Sequence, residues 1–262
     1  MAEITVEAVE IKRTLSGISL EAATRSFGLR RAPDKTREIW FFDSIDPGTG
    51  KPRLLRAGII LRLRREKDGS GESTVKLRPA HAELLVGDFR PSHHHFGKRY
   101  SVEWDWAHDR VLAASIDNDV DLGVADEMVR LVDPFAQWFS PDQLRLVTEA
   151  GIPPPNPFAG IDRAGPITSD RWDNIGDGPL AGLRAERWSY GKANKLFLEL
   201  SLRVADLTSG EQCREALLED LSRRGLQPDP AGVSKTEMVL RDLLDPGVTP
   251  RRPAGVVPPA QN

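Results

Sequence analysis

The chain of 262 residues holds a single cysteine, Cys213, which excludes an internal disulfide and any cysteine-built zinc site. Long hydrophobic runs are missing as well, at the start of the sequence and elsewhere. Neither a signal peptide nor a membrane span is read from it, so a cytoplasmic protein with no membrane partner is expected. A surplus of one charge is also lacking: charged residues make up 29% of the chain, yet the net charge is −3. A general nucleic-acid binder carries a basic excess, so no nucleic-acid partner is expected either. With both signs so abundant, the placement of the charges says more than their sum.

That placement is periodic. In residues 59–65, Ile59, Leu61 and Leu63 alternate with Ile60, Arg62 and Arg64; in 73–79, Val75 and Leu77 alternate with Thr74, Lys76 and Arg78. A period of two puts the apolar set on one side of a sheet and the cations on the other. The intervening 66–72 is rich in turn formers, which predicts a hairpin. Arg62, Arg64, Lys76 and Arg78 then form one cluster, whose mutual repulsion calls for an anion or for carboxylates.

Other strand-like runs repeat the design with mixed sign. Residues 4–15 carry Glu10 and Lys12; 98–106 carry Arg99, Glu103 and Asp105; 183–190 carry Arg184 and Glu186; 195–204 carry Glu199, Ser201 and Arg203. Two further strands are expected over 37–43 and, inside the proline- and glycine-dense 151–182, over 163–168. Helices are predicted over 19–29, 124–132, 141–150 and 208–224. Ser140, Pro141 and Gln143 start the third, and a Thr208/Glu211 capping box starts the fourth. Residues 234–244 read as helix or strand, and the proline-rich 246–262 as a disordered tail. The histidines at 93–95 point apart in a polar loop and make a poor ligand set.

Sheets with one face packed by helices and the other lined by charge imply an α+β barrel with a polar lumen. Such a lumen suits a metal-bound polyphosphate, gripped by cations while carboxylates hold the metal. The same pattern also fits a lattice of structural ion pairs.

Taken in order, residues 41–46, 55–64, 73–79, 101–105, 185–188, 197–201 and 234–237 resemble the signatures of the CYTH superfamily, the triphosphate tunnel metalloenzymes. The resemblance spans nearly the whole chain and implies an eight-stranded antiparallel β-barrel, with helices on its outer face, over residues 1–245. It further implies that Lys12, Arg62, Arg64, Lys76, Arg78 and Lys235 bind phosphate. Glu10, Glu103, Glu186 and Glu199 would hold Mg²⁺ or Mn²⁺. The implied partner is a triphosphate-containing small molecule or inorganic polyphosphate, and the implied activity is its metal-dependent hydrolysis. A non-catalytic polyphosphate or nucleotide sensor and, further off, a class IV-like adenylate cyclase are the alternatives. The family's Glu-x-Glu-x-Lys on the first strand is reduced here to Glu10 and Lys12, and its late Glu-x-Glu to Glu199 and Ser201.

Overall fold

The computed structural model describes residues 6–90, 99–121, 138–230 and 235–244. The expected helix at 124–132, the histidines at 93–95 and the tail at 246–262 lie outside them. The barrel is built from β1 (Ala8–Ser16), β2 (Lys35–Asp43), β5 (Ile59–Glu66), β6 (Ser70–Leu77), β7 (Tyr100–Trp106), β8 (Arg110–Asp121), β9 (Asp162–Trp172), β10 (Arg184–Tyr190) and β11 (Lys195–Val204). A small ribbon of β3 (Ile45–Asp46) and β4 (Lys51–Pro52) stands apart from it. Around the barrel the order is β1-β11-β10-β9-β2-β5-β6-β8-β7, and β7 returns to β1 to close it.

Nine strands therefore replace the eight that were expected. The addition is β8, whose small Ala113, Ala114 and Ser115 and polar Asp117-Asn118-Asp119 hide the alternation that marked the other strands. An odd number of strands cannot close with every neighbour antiparallel. The seam falls between β1 and β7, which pair in parallel with Val9 beside Trp104 and Ile11 beside Trp106. Within the segment 151–182, β9 runs longer than expected and pairs with both β2 and β10.

Outward-facing apolar residues are covered by helices, as their period required. Leu61, Leu63, Val75, Leu77, Ala114 and Ile116 pack with Leu146, Val147 and Ala150 of α3 (Pro141–Ala150), which follows the short α1 (Gly17–Ser26) and α2 (Arg53–Arg56). On the opposite side Val9, Ile11, Leu198, Leu200 and Leu202 pack with Leu20 and Ala23 of α1 and with Leu217 and Leu221 of α4 (Leu207–Arg223). Each fully buried side chain of this size contributes about 1.5–3 kcal/mol relative to exposure. The cap of α4 is Asp206, which accepts from the Ser209 amide, rather than the expected Thr208 box. Residues 234–244 resolve into a helix, α5 (Lys235–Leu244).

Helix α5 differs from the others in what it covers. Its Val239, Leu240 and Leu244 pack on Ile39, Phe41, Trp188, Tyr190 and Phe197. Those residues share parity with Arg37, Glu186 and Glu199, so the inward face is apolar at one end and charged along the rest. Trp188 thus belongs to the lumen, under α5.

The wall formed by β6 and β8 is pinned from outside by one polar side chain. Gln143 is fully buried; its Nε2 donates to the carbonyls of Ser73 and Ile116, each at 2.9 Å, and its Oε1 accepts from the Ser140 amide at 2.9 Å. The capping residue read from sequence therefore also ties α3 to two strands. Replacing it by Leu leaves two buried carbonyls without donors, each costing about 1–3 kcal/mol. Gln143→Leu is expected to lower the urea unfolding free energy by about 2–4 kcal/mol, and a loss below about 0.5 kcal/mol would remove the pinning role.

Candidate functional site

Parity inside a closed barrel brings distant segments together. Lys12, Arg62, Arg64, Lys76, Arg78, Lys235, Glu10, Glu103, Glu186 and Glu199 all line one cavity of about 520 Å³. Arg99 nominally shares their face, but it lies before the start of β7 and pairs with Asp119 at the exposed end. Within the cavity the residues sort into three groups.

The first is a nest of arginines. Arg62 is half-buried, donates to the Thr74 hydroxyl at 2.9 Å and makes no ion pair among the described residues. Thr74 in turn donates to Asp117 Oδ1 at 2.6 Å, which fixes the hydroxyl as an acceptor for Arg62. Arg64 pairs with Glu72 at 2.8 Å and Arg37 with Glu186 at 2.8 Å. The Nε atoms of Arg37, Arg62, Arg64 and Arg171 are all buried without a hydrogen-bond acceptor among the described residues. Burial, then repulsion from Arg64, push the Arg62 guanidinium down to about 9.

The second is a knot of acids and lysines. Asp105 Oδ2 receives Lys12 Nζ at 2.9 Å, Lys76 Nζ at 2.9 Å and Arg78 Nε at 3.2 Å. Lys12 also meets Glu10 Oε2 at 2.7 Å; Glu103 takes Lys76 at 3.0 Å and Arg203 at 3.2 Å. Burial alone would raise the Glu10 carboxyl, but Lys12 and Lys76 outweigh it and hold it at about 2. Burial is likewise overcome at Asp105, which sits well below the usual carboxylate range. Lys12 is held above the usual lysine range, because Asp105 and Glu10 more than offset its burial.

Glu10, Glu103 and Asp105 each offer an oxygen, and the three atoms lie within 4.8 Å of one another. Asp105 Oδ1 is buried with no hydrogen-bond partner among the described residues. Three hard oxygen donors, one of them unclaimed, fit a divalent cation such as Mg²⁺ or Mn²⁺.

The four carboxylates expected to share a metal do not gather. Glu10 and Glu103 join Asp105, whereas Glu186 and Glu199 face each other across β10 and β11 and form the third group. Glu199 is bonded to Lys235, whose ammonium stands 4.3 Å over the Trp188 ring. Glu186 accepts from Arg37 and Ser169. Burial would raise it, yet Lys235 and Arg37 keep it below the usual range. Each of these two carboxylates already has its cation.

Several lumen residues escaped the sequence reading. Asp105 stood on the correct face and was visible there, but nothing in the pattern ranked it above its neighbours. Arg37 lay inside the expected strand over 37–43 but was not singled out, Arg171 lay at a strand end read as loop, and Asp117 lay on the unrecognised β8; Glu72, the partner of Arg64, fell in the expected turn.

No family model matches the chain, and no curated protein matches it. Among solved structures, a putative adenylyl cyclase from Hippeastrum, described as having a dominant triphosphatase activity, aligns over 91% of this chain and 98% of its own, at 15% identity and a TM-score of 0.52. A putative adenylate cyclase from Bacillus halodurans aligns over 87% of this chain and 96% of its own, at 14% identity and a TM-score of 0.53. The chain thus shares the fold of these two proteins, a closed β-barrel with helices, as the resemblance to the CYTH superfamily implied.

Proposed function

We propose that the lumen binds a triphosphate or polyphosphate and hydrolyses it with a divalent metal. The observation that carries this reading is the arginine nest. Arg62 is half-buried beside Arg64 and Arg37 and makes no ion pair of its own among the described residues, and the nearby Asp117 and Glu72 do not offset its burial, so the arrangement is electrostatically frustrated and a multivalent anion relieves it. Guanidinium forks suit phosphate oxygens, and the free Nε donors add directional bonds. The reported activity of the Hippeastrum protein agrees with the same chemistry on the same fold.

Along the lumen, Arg62, Arg64 and Arg37 hold one end of the anion while Lys12, Lys76 and Arg78 hold the other, with Lys235 reaching in from α5. Glu10, Glu103 and Asp105 are the residues that would hold Mg²⁺ or Mn²⁺, which supplies Lewis-acid stabilisation of the phosphoryl oxygens. The protein's own contribution is positional: the cations fix the chain of phosphates, and the barrel wall restricts the path of attacking water. Arg62 and Lys76 donate to oxygens on which charge spreads in the transition state.

A second reading, a non-catalytic sensor, is favoured by one observation: Glu186 and Glu199 are occupied by Arg37 and Lys235, leaving one acidic trio. Phosphate release from tripolyphosphate with Mg²⁺ or Mn²⁺ separates the readings, and binding without release establishes the sensor. Formation of cyclic nucleotide from ATP would establish the cyclase instead. For the hydrolase, Asp105→Asn is expected to cut phosphate release by at least about 100-fold. Glu199→Gln tests the other carboxylate pair, and a loss confined to Glu199→Gln would move the metal away from Asp105.

Arg62 gives a stability signature. A cation with a depressed folded-state pKa binds its proton less tightly in the folded chain, so its charge destabilises the fold in full below about 9, and the penalty fades only as pH climbs from there towards the ordinary guanidinium value. Arg62→Met is therefore expected to raise the thermal midpoint of the anion-free protein by about 2–4 °C, the equivalent of roughly 1 kcal/mol. The same variant should lose the stabilisation that added tripolyphosphate gives the wild type. A lowered midpoint with intact tripolyphosphate stabilisation would refute the frustrated-cation account.

A further inference from the structure

The acid and lysine knot bears on how the metal arrives, an inference that rests on the function just proposed. Glu10, Glu103 and Asp105 do not stand free: Lys12, Lys76, Arg78 and Arg203 are in contact with them, four cations against three carboxylates. A divalent cation approaching the trio in the anion-free protein meets a local positive surplus inside a largely buried cavity, where like charges are poorly screened. We infer that the trio admits a divalent metal only when a polyphosphate occupies the lumen, so that metal and anion bind cooperatively.

The geometry gives the coupling a route. Lys12 uses two of its three ammonium hydrogens on Glu10 and Asp105, and Lys76 uses two on Glu103 and Asp105. Each keeps one donor for a phosphate oxygen. An anion bound there brings several negative charges next to the knot and reverses the local balance. The ammonium groups, compact charges on flexible stems, can also turn from carboxylate to phosphate and free the carboxylate oxygens. Asp105 Oδ1, already without a partner, is then joined by oxygens of Glu10 and Glu103. Coupling of this kind is reciprocal: whatever factor the anion adds to metal affinity, the metal adds to anion affinity.

The test uses the full chain, Mn²⁺ and a triphosphate analogue with P–NH–P bridges that is not hydrolysed. Electron paramagnetic resonance follows Mn²⁺ with protein alone, and calorimetry gives analogue affinity in EDTA and in Mn²⁺. The expected results are an unperturbed Mn²⁺ spectrum without analogue, analogue binding in EDTA, and at least about 10-fold tighter analogue binding with Mn²⁺. Asp105→Asn should lose that tightening, which distinguishes the trio from simple uptake of a metal–analogue complex. Lys76→Gln should gain Mn²⁺ binding in the anion-free protein, a gain that a merely structural lysine does not give. Where Lys76→Gln fails to fold, Arg78→Gln removes a cation that is more exposed, with 27% of its side chain accessible. Mn²⁺ affinity equal with and without the analogue overturns the inference and leaves the anion site standing. No analogue binding in either condition overturns the proposed function and this inference together.

Discussion

Charge enclosed by a barrel must be balanced by charge, because water cannot do it there. Nearly everything in this protein follows from that constraint. Much of the outer face is apolar and is covered by α1, α3 or α4; the inner face carries the ionisable groups of seven or more chain segments. Around Asp105 four cations meet three carboxylates, and one carboxylate oxygen stays without a hydrogen-bond partner among the described residues. Around Arg62 the arginines Arg37 and Arg64 have their carboxylates, whereas Arg62 itself makes no ion pair among the described residues.

The legible part of this arrangement was the part encoded by parity. Leu196, Leu198, Leu200 and Leu202 alternate without interruption, and their partners Glu199, Ser201 and Arg203 duly face the lumen. The same rule placed Arg62, Arg64 and Lys76 on one surface although the rule itself says nothing about curvature. Closure was suggested by strands with one apolar and one charged face and made explicit by the resemblance to a known family, and closure is what turns a charged face into an enclosed site.

What stayed hidden had physical causes of three kinds. The strand β8 carries Ala113, Ala114 and Ser115 opposite Glu103, Leu77 and Lys76, so its hydrophobic contrast is weak, and with it went Asp117. Strand ends frayed in the reading: Glu72 and Arg171 lie within two residues of a boundary, where turn residues dominate local propensity. Finally, pairwise contact is not a sequence property. That Glu186 falls to Arg37, Glu199 to Lys235, and Glu10 to the company of Asp105 depends on strand register and on the docking of α5.

The seam between β1 and β7 sets the order in which the polypeptide is completed. Residues 8–16 lie at the beginning of the chain, yet their antiparallel partner is β11, with Val9 opposite Val204. Nearly two hundred residues must emerge from the ribosome before that pairing can form, whereas hairpins such as β5 and β6 can form at once. Contacts so remote in sequence slow folding through the entropy of closing large loops. The strand β1, bearing Glu10 and Lys12, is therefore left waiting during synthesis, and the charged interior acquires its full complement only after β11 and α5 have been made.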